Sequence, residues 1–310
     1  MTSSPLRSEI WFSDGSVVLQ VENIQFRVYW GVLTQQSSFF RTMQNLPQPP
    51  DQPSIDGCPV IELQDAVGDV EYLLKALYIP TFLAQDALAL PAVAALIRLG
   101  RKYDFSDLLN LAVQRLSYEN PKTLAEYDAL ITAARGNAYK TTRIIHYSGV
   151  IMDMITVARE NGLLSVLPCA YYRAVLHYSL AQIFDGVSRG DGTVASLAFV
   201  DQRRCIVSRD ELIKARFQEG YTLGWLKKWD YDYECPTPEL CAEGRHARTH
   251  YYMNCSPLWI LHRSAEDKKA LCATCFRHAT GSAVEGRKKM WEDLPKWFDL
   301  PPWAELRDEL

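Results

Sequence analysis

Five of the chain's eight cysteines fall within residues 235–275: Cys235, Cys241, Cys255, Cys272 and Cys275. Cys272-Ala273-Thr274-Cys275 is a C-x2-C knuckle, and thiolates at i and i+3 of such a turn converge on one point. Cys235 and Cys241 form a wider C-x5-C pair in a loop shaped by Pro236 and Pro238. Zinc takes four soft or borderline ligands in a tetrahedron, with sulfur at about 2.3 Å. The preferred set is therefore Cys235, Cys241, Cys272 and Cys275 around Zn2+. His246, His278 and Cys255 are close enough in sequence for one of them to replace a member of the set. The competing structural account is buried unpaired thiols and a surface knuckle. A redox C-x2-C has less support, because no thioredoxin-like strand precedes it.

Such a zinc is expected to be structural. Four protein thiolates leave no open position for water or substrate. Its role would be to hold together a short tail without a large core, so that metal binding contributes directly to folding. The tail is also rich in aromatics, among them Trp225, Trp229, Tyr231, Trp291, Trp297 and Trp303. Interleaved with basic residues these could stack nucleotides. The acids Glu292, Asp293, Asp299, Glu305, Asp308 and Glu309 dilute any basic surface, which favours packing. Arg287-Lys288-Lys289 is the best basic patch, and its plainer interpretation is a solvated helix face.

The elements that position these residues follow from periodicity. Val17, Leu19 and Val21 alternate as in a half-buried strand, and Ile24, Phe26 and Val28 repeat the pattern after Glu22-Asn23. That two-residue link suits a tight hairpin, since Asn tolerates positive φ. A single helix is predicted from Gly31 to Met43, then a proline-rich loop, then a strand at Val60, Ile61 and Leu63. Val67, Val70, Leu73, Leu74 and Leu77 have helical spacing. Leu90-Pro91 starts a further helix with Val93, Leu96, Ile97 and Gly100 on one face, and another begins near Ser106 or Asp107. Beyond Asn120-Pro121 the chain reads as helical to about residue 230. Windows there run over Leu124–Ala134, Arg143–Glu160 and from Pro168 to Ala181 or Ile183, with Asp201 or Ser208 as later helix caps.

The wording of the amino-terminal part is familiar. Trp11 to Asn23, Phe26-Arg27-Val28, Gly31-Val32-Leu33, Ser37-Ser38-Phe39-Phe40, Pro59 to Leu63, Leu73 to Tyr78 and Leu99 to Phe105 closely resemble a BTB/POZ domain. The flavour is that of the BTB proteins abundant in mushroom-forming (basidiomycete) fungi. The resemblance covers residues 8–118. One departure lies just after the second strand, where the family often has a His and a basic residue and this chain has Tyr29 and Trp30. It bears on any partner contact made through that corner.

The expected fold is α+β: a BTB/POZ fold of small sheet and helices over 8–118, a mostly α-helical region over 119–230, and a small Cys-rich zinc-binding tail over 231–310. The resemblance implies a protein–protein interaction scaffold. Its partners would be other proteins, a second copy of itself through a surface around Phe26 to Phe40, and a cullin-type ubiquitin ligase for which it would be a substrate adaptor. The alternative is a nuclear transcription regulator with a zinc-stabilised carboxy-terminal module.

An enzyme is not expected. No Gly-x-Ser-x-Gly elbow, His-Glu-x-x-His or Walker motif is present. His146 and His177 read as hydrogen-bonded core or boundary residues. A net charge of −4 offers no general attraction to nucleic acid or anionic membrane. With no apolar run of about 18 residues and no signal-like start, the expected location is cytoplasmic or nuclear, with reduced thiols.

Overall fold

Leu6–Trp11 (β1), Val17–Val21 (β2) and Ile24–Val28 (β3) are the first strands of this computed structural model. The structure describes residues 5–47, 51–133, 140–254, 258, 260–261 and 270–309. β2 and β3 pair antiparallel from Val17↔Val28 to Val21↔Ile24. The positive φ of their turn falls on Glu22, at 51°, rather than on the expected Asn23. β1, which has no clean alternation, was not legible in the sequence. It pairs parallel with β3 at Leu6↔Ile24 and Arg7↔Gln25.

Ser54–Ile55 (β4) and Cys58–Leu63 (β5) complete a five-stranded sheet in the order β1-β3-β2-β5-β4. β5 runs parallel to β2, with Leu19 opposite Ile61. β2 is thus a central strand, so Val18 is as buried as Val17 and Leu19. The half-buried alternation expected there gives way to burial on both faces.

The single helix expected over Gly31–Met43 is two, Trp30–Gln36 (α1) and Ser38–Gln44 (α2). Ser37 makes the break. Its extended backbone ends α1, and its hydroxyl accepts the Phe40 N–H at 3.0 Å while donating to the Tyr103 carbonyl at 2.5 Å. Val67–Tyr78 (α3), Pro80–Leu83 (α4), Leu90–Lys102 (α5) and Ser106–Glu119 (α6) follow. Pro91 occupies the first turn of α5, and Val93, Leu96, Ile97 and Gly100 are buried on it as the spacing predicts. Residues Met1–Glu119 with Lys140–His146 form one compact unit.

The second unit comprises Asn120–Tyr139 and Tyr147–Glu309. Its helices are Leu124–Ala133 (α7), Val150–Glu160 (α8), Leu167–His177 (α9), Leu180–Asp185 (α10), Phe199–Ala215 (α11), Pro238–Asn254 (α12), Ala273–Glu292 (α13) and Leu294–Trp297 (α14). Val187–Ser188 (β6) and Val194–Ala195 (β7) pair antiparallel. α8 starts seven residues later than Arg143, because Gly149 adopts a φ of 90° that no helix accommodates. α9 ends at His177, and Ser179 caps a separate α10 with a capping box to Gln182.

Neither Asp201 nor Ser208 caps a helix. Both are buried within α11, where Asp201 accepts the Tyr171 hydroxyl and Ser208 donates to the Trp297 carbonyl. Tyr171, Tyr172 and Phe298 are the largest fully buried side chains of this unit. His146 and His177 are exposed rather than core. No described helix is long and apolar enough to cross a membrane.

Candidate metal centre

Two helix starts face one point. Thr237 precedes α12, whose first residue is Pro238, a position where a missing N–H costs nothing. Cys241 lies one turn into this helix, its N–H donating to the Thr237 carbonyl at 3.0 Å. Cys272 is the N-cap of α13, its sulfur accepting the Cys275 N–H at 3.4 Å. Cys235 follows the 3-10 turn Asp232–Glu234. The sulfurs of Cys235, Cys241, Cys272 and Cys275 all lie within 4.8 Å of one another. All four are free thiols, and no disulfide joins them.

The spacing can be tested against a metal. A tetrahedron with bonds of about 2.3 Å has sulfur–sulfur edges of about 3.8 Å. Cys235 and Cys272 stand 3.8 Å apart. The electrostatics also suit an anionic cluster. The Cys272 N–H donates to Cys241 Sγ at 3.2 Å and the Thr237 N–H to Cys235 Sγ at 3.4 Å. The two helix amino termini add partial positive charge, which offsets the excess negative charge of four thiolates on a dication. These residues can hold a metal ion.

No family model matches this chain, and no curated protein matches it. The centre is therefore understood from its own geometry. Withdrawal from water opposes ionisation of Cys241, yet the Cys272 N–H, the Thr237 hydroxyl and the adjoining thiols outweigh it and lower this thiol to about 7. Cys275 is pushed well up, first by burial and then by its neighbouring thiols. Cys235 is also raised, with withdrawal from water as the largest cause. A bound cation would displace the protons that these thiols retain.

The loop carrying Cys235 is pinned from both helices. Arg245 of α12 pairs with Asp232 at 3.2 Å and lies over the Trp229 ring at 4.7 Å. His278 of α13 meets Glu234 at 2.8 Å and stacks on Tyr231 with centroids 3.9 Å apart. His278 is thus a positioning residue outside the sulfur cluster. His246 also lies outside it, its ring against His250. Cys255, the third alternative, falls outside the described residues.

Trp225, Leu271 and Ala279 pack with Cys241 and Cys275 as a small buried cluster, bordered by Trp229 and Phe276. A Cβ on Gly244 would come within 1.8 Å of the Ala270 carbonyl oxygen, so only glycine lets α12 approach the strand of chain leading to Cys272. Sequence reasoning did not single out Gly244, Thr237 or Glu234. The Thr-Pro step at 237–238 was the available signal for Thr237, as a helix start beside a cysteine.

Of the basic triplet, Arg287 is taken into packing within the second unit. Arg287 makes a two-pronged contact with the Asp128 carboxylate and donates to the Leu261 carbonyl at 2.6 Å. Lys288 pairs with Glu285 at 2.7 Å, and the Lys289 ammonium lies 4.8 Å from the Tyr221 ring centroid. The expectation of a solvated face holds for exposed Lys288 and Lys289 but not for Arg287, which the Asp128 pairing turns inward.

Proposed function

We propose that this protein is a non-enzymatic protein-interaction scaffold, with a BTB/POZ-type unit at residues 8–118 and a structural zinc fastening the carboxy-terminal module. The observation that carries the scaffold reading is the element order of the first unit. A hairpin (β2, β3) is followed by two short helices (α1, α2), a strand parallel to the first (β5), a helix (α3) and a helical pair (α5, α6). That order agrees with the resemblance carried by the motifs from Trp11 to Phe105. Zinc, rather than a harder cation, suits four cysteine sulfurs within 4.8 Å of one another. A closed four-sulfur shell has no coordination position for substrate, which supports a structural role.

The partners proposed are a second copy of the chain, through the region of α1 and α2, and a cullin, with the chain as substrate adaptor. The nucleic-acid alternative is weaker because its best cation, Arg287, is held by Asp128. The test is light scattering of the purified chain across a concentration series, together with binding to a purified cullin amino-terminal domain. A dimer or a cullin complex is the expected result. A monomer at every concentration that ignores the cullin would overturn the reading.

A further inference from the structure

Among the described residues, α12 is anchored along the side that carries Cys241. With about 100° of rotation per residue, Cys241, Gly244, Arg245 and Arg248 share one side of this helix, within an arc of about 100°. Cys241 is buried in the sulfur cluster, Gly244 abuts Ala270 and Arg245 lies on Trp229. Glu239, Glu243, His246 and His250 fall within an arc of about 60° centred on the opposite side. All four are exposed.

The two histidines are i and i+4 neighbours, the spacing that lets two imidazoles reach one ion from a single helix. Their ring centroids are 4.9 Å apart. A metal–nitrogen bond of about 2.1 Å puts each centroid about 3.2 Å from the ion, and a tetrahedral angle then separates the centroids by about 5 Å. The pair already has the spacing of a chelate. Glu243 lies one turn earlier on the same stripe.

We propose that His246 and His250 form a second metal site, distinct from the sulfur cluster, that takes a borderline divalent cation such as Zn2+ through two imidazole nitrogens. Water completes the coordination. Two imidazole ligands with open positions beside them make this site exchangeable, unlike a closed four-thiolate shell. Anchoring of the far side of α12 holds the histidine side rigid, so little ordering is needed on binding.

The test is calorimetric titration of Zn2+ into the full chain after its tightly held metal has been saturated. One additional, weaker equivalent is expected. His246→Gln and His250→Gln should each weaken it at least roughly tenfold, the effect of losing about 1.4 kcal/mol of binding. The tightly held equivalent should not change in either variant. In NMR spectra the ring signals of His246 and His250 should move with added Zn2+ while those of His177 stay. Absence of a weaker equivalent, or one that survives both substitutions, would overturn the proposal. Failure of the four-sulfur reading would instead show as a missing tight equivalent, whatever the histidines do.

Discussion

The sulfurs of Cys235 and Cys272 stand 3.8 Å apart although 37 positions separate them in the chain. That distance is far beyond the bond of about 2.05 Å in a disulfide. It equals the edge of a thiolate tetrahedron built on bonds of about 2.3 Å. The chain reaches it by ordinary means: a Pro-started helix, a cysteine N-cap, and a loop clamped by Arg245 and His278. Little apolar burial accompanies them, since Cys241 is the only buried residue on α12. On the proposed reading, a bound metal more than a core would give this region its cohesion.

The first prediction follows from that assignment. Cys272→Ser removes one thiolate, the N-cap sulfur of α13 and the N–H···S geometry at Cys241 together. The variant should lose a full zinc equivalent by metal analysis and become protease-sensitive within residues 231–290. The first unit should stay folded, with its own cooperative melt. A variant that retains a full equivalent refutes the ligand set. Stripping the wild-type chain with a strong chelator should reproduce the same proteolytic pattern, reversed by adding Zn2+.

Gly244→Ala tests the packing that brings the two cysteine pairs together. The added methyl meets a backbone oxygen, which cannot swing away as a side chain can. Overpacking of this kind typically costs about 1–3 kcal/mol. The expected outcome is weaker zinc retention against a competing chelator, with the melt of the first unit unchanged. Equal retention would mean that the approach of α12 to Ala270 contributes nothing to the site.

How much of this was legible depended on whether the signal was local. The grouping of the four cysteines was, because C-x2-C and the Pro-rich C-x5-C write their own turns. So was α5, whose apolar face and first-turn proline agree with each other. β1 was not, since Leu6–Trp11 is an edge strand whose stability comes from pairing with β3 rather than from its own pattern. The break at Ser37 was hidden for a similar reason: the Tyr103 carbonyl that receives its hydroxyl is 66 residues away. Asp201 and Ser208 have cap-forming side chains, and distant partners on Tyr171 and Trp297 took them into the interior instead. His246 reads from the sequence as a substitute ligand because residues 238–254 carry no clear helical signal, and it is the helix there that turns it away from Cys241.

The Asp128–Arg287 pair ties α7 to α13, with side chains only 16% and 11% exposed. Removing one partner of a largely buried pair leaves an uncompensated charge, at a cost of about 2–4 kcal/mol once residual solvent screening is allowed for. Asp128→Asn should therefore lower the melting temperature of the second unit markedly. The double variant Asp128→Leu/Arg287→Met should recover much of the loss, because neither charge is then stranded. If Asp128→Asn melts like the wild type, Arg287 is not held as the geometry indicates, and the basic triplet becomes available to nucleic acid again.

Cys169 and Cys205 provide a pH test that is independent of the metal. Both are buried in the second unit, and burial raises each thiol to about 12. In the unfolded chain they ionise near their usual value of about 8.5. Above that pH the unfolded state binds fewer protons than the folded one, so stability falls as pH rises. The contribution is fully present below about pH 8.5 and drains away as pH approaches 12. Melting of the second unit should thus decline through the alkaline range, and Cys169→Ala/Cys205→Ala should flatten part of that decline. Alkylation gives a second readout on the metal-loaded protein. Burial keeps these two thiols protonated at pH 8, so both should resist iodoacetamide in the native state and react once denatured. Rapid native labelling of either would show that the packing of α9 or α11 is looser than its burial indicates.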